Sequence, residues 1–137
     1  MAIENPSREQ IGKILKKAKR IAVVGLSDDP YRTSYMVSEA MQRAGYEIIP
    51  VNPTIKEALG VKAVGSLQEV EGHIDIVNIF RRSEYLPDLA KAFDRIDADV
   101  FWAQQGVYSD EAYNFLKQQG HTVIMDRCIK VEHAITR

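Results

Sequence analysis

Short apolar runs rich in β-branched residues alternate with helical stripes along this chain, and that alternation restricts the folds open to it. Residues 21–24, 47–51, 74–80, 99–103 and 121–125 read as strands. Between and before them run stripes at helical spacing: Ile11, Ile14, Leu15 and Ala18; Val37, Ala40, Met41 and Ala44; Leu86, Leu89, Ala90 and Phe93; Ala112, Phe115 and Leu116. Strands separated by helices imply a parallel sheet with right-handed crossovers. The expected fold class is α/β: a doubly wound, mainly parallel sheet of five to six strands, with helices on both faces. A length of 137 residues suits one domain spanning 1–137 with one real core.

Local signals set the expected boundaries. Ser7 and Gln10 form a capping-box pair that opens the first helix, and Lys16, Lys17, Lys19 and Arg20 follow at its end. Those cations read as a solvated helix end rather than a binding patch. Gly45 and Gly120 sit where helices stop, Ser109 caps another helix, and Pro87 belongs in a first turn. Residues 54–72 carry no clear period. Within them, 61–64 suits a short edge strand, and Ser66 with Glu69 suggests a second capping box. Residues 126–137 read as a last short helix.

A doubly wound sheet takes ligands beyond the carboxyl ends of its strands. That rule selects five loops: 25–34, 52–53, 80–83, 104–107 and 126–128. Apart from Asp28, Asp29 and Asp126 they are poor in acids and rich in Arg, Ser, Thr, Asn, Gln and Gly. The first is a strand, then Gly25, then a helix start, a geometry that turns free backbone N–H groups towards an anion. Ser27, Thr33, Ser34 and Arg32 favour a phosphate there, whereas Asp28 and Asp29 oppose one unless they face solvent. The dinucleotide pattern G-x-G-x-x-G is incomplete, with Ser27 and Pro30 at its later glycine positions. An acid that would bond an adenosine ribose is also missing after the second strand, where Asn52 and Pro53 stand. NAD in its usual pose is therefore disfavoured. Lys56 is the nearest cation to that turn.

Net charge is −1, which offers no electrostatic case for nucleic acid or an acidic membrane surface. The first residues lack the apolar stretch of a signal peptide, and no run approaches the roughly 20 apolar residues that span a bilayer. A single cysteine, Cys128, excludes an internal disulfide and suits a reducing compartment. A cytoplasmic protein is the expectation.

Five motifs occur in order: G-x-S-x-x-P-x-R-x-S over 25–34, Val51-Asn52-Pro53, Ile79-Phe80-Arg81-Arg82-Ser83, Trp102-Ala103-Gln104-Gln105-Gly106, and Arg127-Cys128-Ile129-Lys130-Val131-Glu132. Together they resemble the small stand-alone CoA-binding-domain proteins, which are similar to the N-terminal CoA-binding domain of the succinyl-CoA synthetase alpha subunit. The resemblance covers nearly the whole chain. It implies a Rossmann-like sheet with coenzyme A or an acyl-CoA at the strand ends. On this resemblance Gly25, Ser27, Pro30, Arg32, Thr33 and Ser34 would hold the phosphates. Asn52, Pro53 and Lys56 would meet the adenosine end, and Phe80, Arg81 and Arg82 would flank the pyrophosphate or pantetheine. Gln105 and Gly106 complete the expected rim. The synthetase's phosphorylated histidine belongs to a second domain that this chain lacks, so ligase activity does not carry over.

No catalytic constellation stands out. His73, His121 and His133 are scattered, with no second ligand at metal spacing, and there is no nucleophile elbow. Asp97 and Asp99 fall at the start of a strand, away from the ligand edge. Cys128 reads most simply as an inert buried thiol. Arg127 and Lys130 flank it with cations that favour a thiolate, which makes it the candidate reactive thiol. Three readings stand: a non-catalytic CoA-binding or regulatory module, an NAD(P)-binding oxidoreductase or redox sensor on the same fold, and a subunit whose partner supplies the reaction. A protein partner or homo-oligomer is left open, as is the acyl group.

Overall fold

The computed structural model describes residues 3–136. Its main sheet contains five strands: β1 (Arg20–Val24), β2 (Glu47–Val51), β5 (Ile74–Ile79), β6 (Ala98–Ala103) and β7 (Thr122–Ile124), in the order β2-β1-β5-β6-β7. Each neighbouring pair is parallel. Chain order reverses between β1 and β5, which makes their carboxyl ends the topological switch point. Pro50, which lacks a backbone N–H, is tolerated because β2 is the edge strand.

Two apolar layers sandwich the sheet. On one face α3 (Leu86–Asp94) and α4 (Asp110–Gln118) bury Leu86, Phe93 and Leu116 against Ala22, Val77 and Phe101. On the other, α1 (Arg8–Lys17), α2 (Thr33–Arg43) and α5 (Ile129–Thr136) bury Ile11, Met41 and Ile129 against Ile21, Ile76 and Trp102. Strand residues alternate between the two layers, so a central strand such as β5 is buried at nearly every position. The mainly parallel, doubly wound α/β sheet with helices on both faces is the fold the alternation predicts.

Ser7 and Gln10 form the expected capping box on α1, and Ser109 caps α4. Three local expectations are corrected. The edge strand expected over 61–64 is divided. Val61–Lys62 (β4) pairs antiparallel with Glu57–Ala58 (β3) through a Leu59-Gly60 turn, while Val64 bridges to Val51. Both turn residues have positive φ, the geometry of a tight two-residue hairpin. Ser66 and Glu69 do not form a capping box. The Ser66 hydroxyl meets the Glu69 carboxylate instead of a backbone N–H, and Leu67–Glu69 is a single 3-10 turn. The last helix begins at Ile129, not 126, because Asp126 adopts φ 60° and accepts the Gly106 N–H with its side chain. Arg137, the expected end of that helix, lies outside the described residues.

Candidate functional site

Gly25 ends β1 at φ +85°, where an L side chain is strained. A Cβ there would stand 2.5 Å from the Phe80 carbonyl oxygen and 3.1 Å from Cδ of Arg81. Only glycine allows the two strand ends to approach so closely, and the approach opens a cleft over the switch point. The cleft has two adjoining lobes, of about 620 and 540 Å³, which share Gly25, Asn52, Thr54 and Phe80 as walls.

The first lobe lies at the start of α2. Ser27, Asp28, Tyr31, Arg32, Thr33 and Ser34 contribute to its wall. The loop is shaped by its own polar groups. Ser34 Oγ accepts the Ser27 N–H at 3.0 Å, Ser27 Oγ accepts the Asp29 N–H, and Asp29 Oδ1 accepts the Tyr31 N–H. Asp29 is engaged by its own turn and exposed to solvent off the wall, whereas Asp28 is exposed on it. Arg32 is the N-cap of α2 and makes no side-chain cap, so among the described residues no side chain competes for the first-turn N–H groups. Those groups and the exposed Arg32 can receive a phosphate.

The second lobe runs between the turn after β2 and α3. Pro53, Gly65, Leu67, Arg81, Leu89 and Ala92 help to line it, and its surface is mostly apolar. Asn52 joins the two lobes. Its amide donates to the Leu26 carbonyl at 3.0 Å, and its Oδ1 accepts both the N–H and the hydroxyl of Thr54. The side chain expected to meet a ligand is therefore engaged within the protein and fixes the shape of the rim.

Nine of the expected cofactor residues stand on these walls: Gly25, Ser27, Arg32, Thr33 and Ser34, then Asn52, Pro53, Phe80 and Arg81. Five do not. Pro30 is exposed in the loop but off the wall. Lys56 is exposed beside β3, and only its carbonyl is engaged, by the Ala63 N–H. Arg82 turns to Glu84, with Nε 3.2 Å from the carboxylate, and to the Tyr85 hydroxyl. Gln105 and Gly106 are exposed after β6, and it is Gln104 that is buried, where its Oε1 accepts from Asn78 and from the Ile129 N–H. Cys128 is half-buried against the layer that holds Phe80 and Trp102.

Sequence reasoning missed Tyr31, Thr54 and Ile55, together with the wall supplied by residues 65–68. Tyr31 lies inside the 25–34 loop already selected, Thr54 and Ile55 directly follow the Asn52-Pro53 turn, and residues 65–68 carry no local signal of the site. One histidine has carboxylate neighbours that its position in the sequence did not signal. At the amino end of the sheet, His73 Nδ1 lies 2.8 Å from Asp97 and Nε2 lies 2.9 Å from Asp99, with Asp75 at 3.7 Å. His73, Asp75 and Asp99 bring one ligand-type atom each within 4.8 Å of one another. Hydrogen bonds to Asp97 and then Asp99 raise the imidazole above its usual range. Burial pushes the Asp75 carboxyl up, but the Arg20 and Lys19 N–H groups outweigh it and hold the group below its usual range.

Another cavity, about 520 Å³, opens between the N-terminal segment and α4. It contains Lys13 and Lys117 but no glycine turn, the α1 start beside it is already closed by the Ser7–Gln10 capping box, and Glu9 pairs with Lys13. The cleft at the switch point offers the fuller set of groups for a nucleotide.

The family model for the CoA binding domain matches residues 19–134. Uncharacterized protein YneT of Bacillus subtilis (strain 168) is 67% identical over 135 residues, which is 98% of this chain and 100% of that protein. The alpha subunit of acetate–CoA ligase [ADP-forming] II from Pyrococcus furiosus is 38% identical over 60 residues, 43% of this chain and 13% of that subunit. Among solved structures, cell-free ID.343 from Thermus thermophilus is 32% identical with a TM-score of 0.92, covering 96% of this chain and 100% of its own. No helix among the described residues is long and apolar enough to cross a membrane. With the match spanning every strand of the sheet, the chain belongs to the CoA binding domain family.

Proposed function

We propose that this chain binds coenzyme A or an acyl-CoA in the cleft at the carboxyl ends of β1, β2 and β5, as a binding or regulatory module without catalysis of its own. The observation that carries the reading is the uncapped start of α2 beside the Gly25–Phe80 approach, since it leaves N–H groups and Arg32 directed at an anion. The pyrophosphate sits there. The apolar second lobe accepts the flatter, less polar parts of the ligand. Membership of the CoA binding domain family, and the partial likeness to the acetate–CoA ligase subunit, support coenzyme A over other nucleotides. The likeness to the succinyl-CoA synthetase alpha subunit belongs to the same reading.

An NAD(P) role gains nothing from the geometry, because the residue after β2 is Asn52 and its amide is already engaged on both sides. Native mass spectrometry against a panel of CoA, acetyl-CoA, NAD and NADP tests the proposal. A 1:1 complex with CoA or acetyl-CoA supports it, and retention of NAD or NADP alone overturns it. Incubation of purified protein with acyl-CoA thioesters tests the absence of catalysis. Saturable thioester cleavage, lost on changing one cleft residue, would contradict it.

A further inference from the structure

Arg81 and Arg82 both lean on one tyrosine. The Arg81 guanidinium lies 4.3 Å from the centre of the Tyr85 ring, and that of Arg82 lies 5.5 Å away. Arg82 also donates to the Tyr85 hydroxyl at 3.1 Å and pairs with Glu84. Arg81 differs: among the described residues it has no carboxylate partner, and it alone of the two lines the cleft. Its stem crosses the Gly25 turn, with Cδ 3.1 Å from where a Cβ would stand. Two like charges beside a single ring repel each other. The hydrogen bond and charge of Arg82, followed by Arg81, hold the Tyr85 phenol below its usual range.

On the CoA reading, the start of α2 and Arg32 already provide for the pyrophosphate. An uncompensated guanidinium on the adjoining wall provides for a further phosphate group. We infer that Tyr85 is a positioning residue that holds Arg81 over the second lobe to receive a second, separate phosphate, and that the cleft thereby prefers coenzyme A, with its 3′-phosphate, over ligands that carry the pyrophosphate alone. The inference rests on the CoA reading above. The aromatic face fixes a flexible arginine without neutralising it, because a cation–π contact orients the charge and still leaves guanidinium N–H donors for a phosphate.

The test is calorimetric titration of CoA and 3′-dephospho-CoA into wild type, Arg81→Ala, Tyr85→Phe, Tyr85→Leu and the Arg81→Ala/Tyr85→Leu double variant. Wild type is expected to bind CoA more tightly than dephospho-CoA. Arg81→Ala should lose about ten- to hundredfold on CoA, the scale of a hydrogen bond to a charged group, and little on dephospho-CoA. Tyr85→Leu should show part of that loss, again on CoA only, whereas Tyr85→Phe keeps the ring and the affinity. In the Arg81→Ala background, Tyr85→Leu should cost nothing further, since its effect passes through Arg81. A further loss there would overturn the inference, and so would equal losses on both ligands. Wild type that binds both ligands equally overturns this inference alone; wild type that binds neither overturns the CoA reading with it. If Tyr85→Leu does not fold, Arg81→Ala decides: loss of the CoA preference supports the inference, and an unchanged preference overturns it.

Discussion

The backbone of Gly25 passes so near Phe80 that a Cβ on residue 25 would meet the Phe80 carbonyl oxygen at 2.5 Å. The contact joins the ends of β1 and β5, where the Phe80 N–H also donates to the Val24 carbonyl. Backbone cannot yield as the tip of a side chain can. Gly25→Ala should therefore cost roughly 1–3 kcal/mol, the range for overpacking a tight site, with added strain from the positive φ. Urea unfolding measures it. A loss below about 0.5 kcal/mol, ordinary for surface positions, would contradict the close approach.

Arg32 is exposed beside the uncapped α2 start and has no ion pair among the described residues. Arg32→Ala should weaken CoA binding by around 1.5–3 kcal/mol. Arg32→Lys should recover only part of this, because an ammonium cannot present two parallel N–H groups to a phosphate. Stability without ligand should change by less than about 0.5 kcal/mol. Calorimetry on the three proteins gives the answer, and equal affinities would remove Arg32 from the site.

Asn52 fastens the turn after β2 to the loop after β1 through Leu26 and Thr54. Asn52→Ala removes one donor and one acceptor from a part-buried position. It should destabilise the protein by roughly 1–2 kcal/mol and weaken the ligand as well. Asn52→Asp should not create an NAD site, because the new carboxylate would face the Leu26 carbonyl with no proton to donate. Thermal unfolding with and without nucleotide separates the two effects; NAD binding by Asn52→Asp would be the contrary result.

This residue also shows how far the sequence could be read. Asn52 was legible as part of the rim from its place after a strand, but its amide was assigned to a ligand. The Leu26 carbonyl that takes it is 26 positions away, and no local pattern reports that contact. The same holds for His73: residues 97 and 99 are far along the chain, and only the pairing of Ile74 with Ala98 sets them beside it. Strand and helix periods, by contrast, are local, so the sheet and its two layers could be read directly. The stretch 54–72 resisted because its hairpin and 3-10 turn are too short to carry a period. Gln105 was chosen over Gln104 for a similar reason: a loop has no alternation from which to tell the buried neighbour from the exposed one.

His73 gives a pH prediction. Both ring nitrogens face carboxylates, and only the protonated ring can donate to both. Its folded pKa is raised, through hydrogen bonds to Asp97 first and Asp99 second. A raised cationic pKa stabilises the fold fully below the unfolded value, about 6.5, and that contribution is lost as pH rises through the folded value. The stability advantage of wild type over His73→Gln should be largest near pH 5–6 and shrink towards pH 9. Urea unfolding across that range measures it, and a difference that stays constant with pH would refute the assignment.

The central claim is that the cleft over the switch point selects coenzyme A. Thermal unfolding of the wild-type protein with CoA and with NAD, at equal concentration, tests it most directly. A ligand that binds only the native state contributes RT ln(1 + [L]/Kd), about 2.7 kcal/mol at a hundredfold excess over Kd. For a chain of this length that is a rise in Tm on the order of 10 °C. The account predicts such a rise with CoA and none with NAD; a larger rise with NAD than with CoA would contradict it.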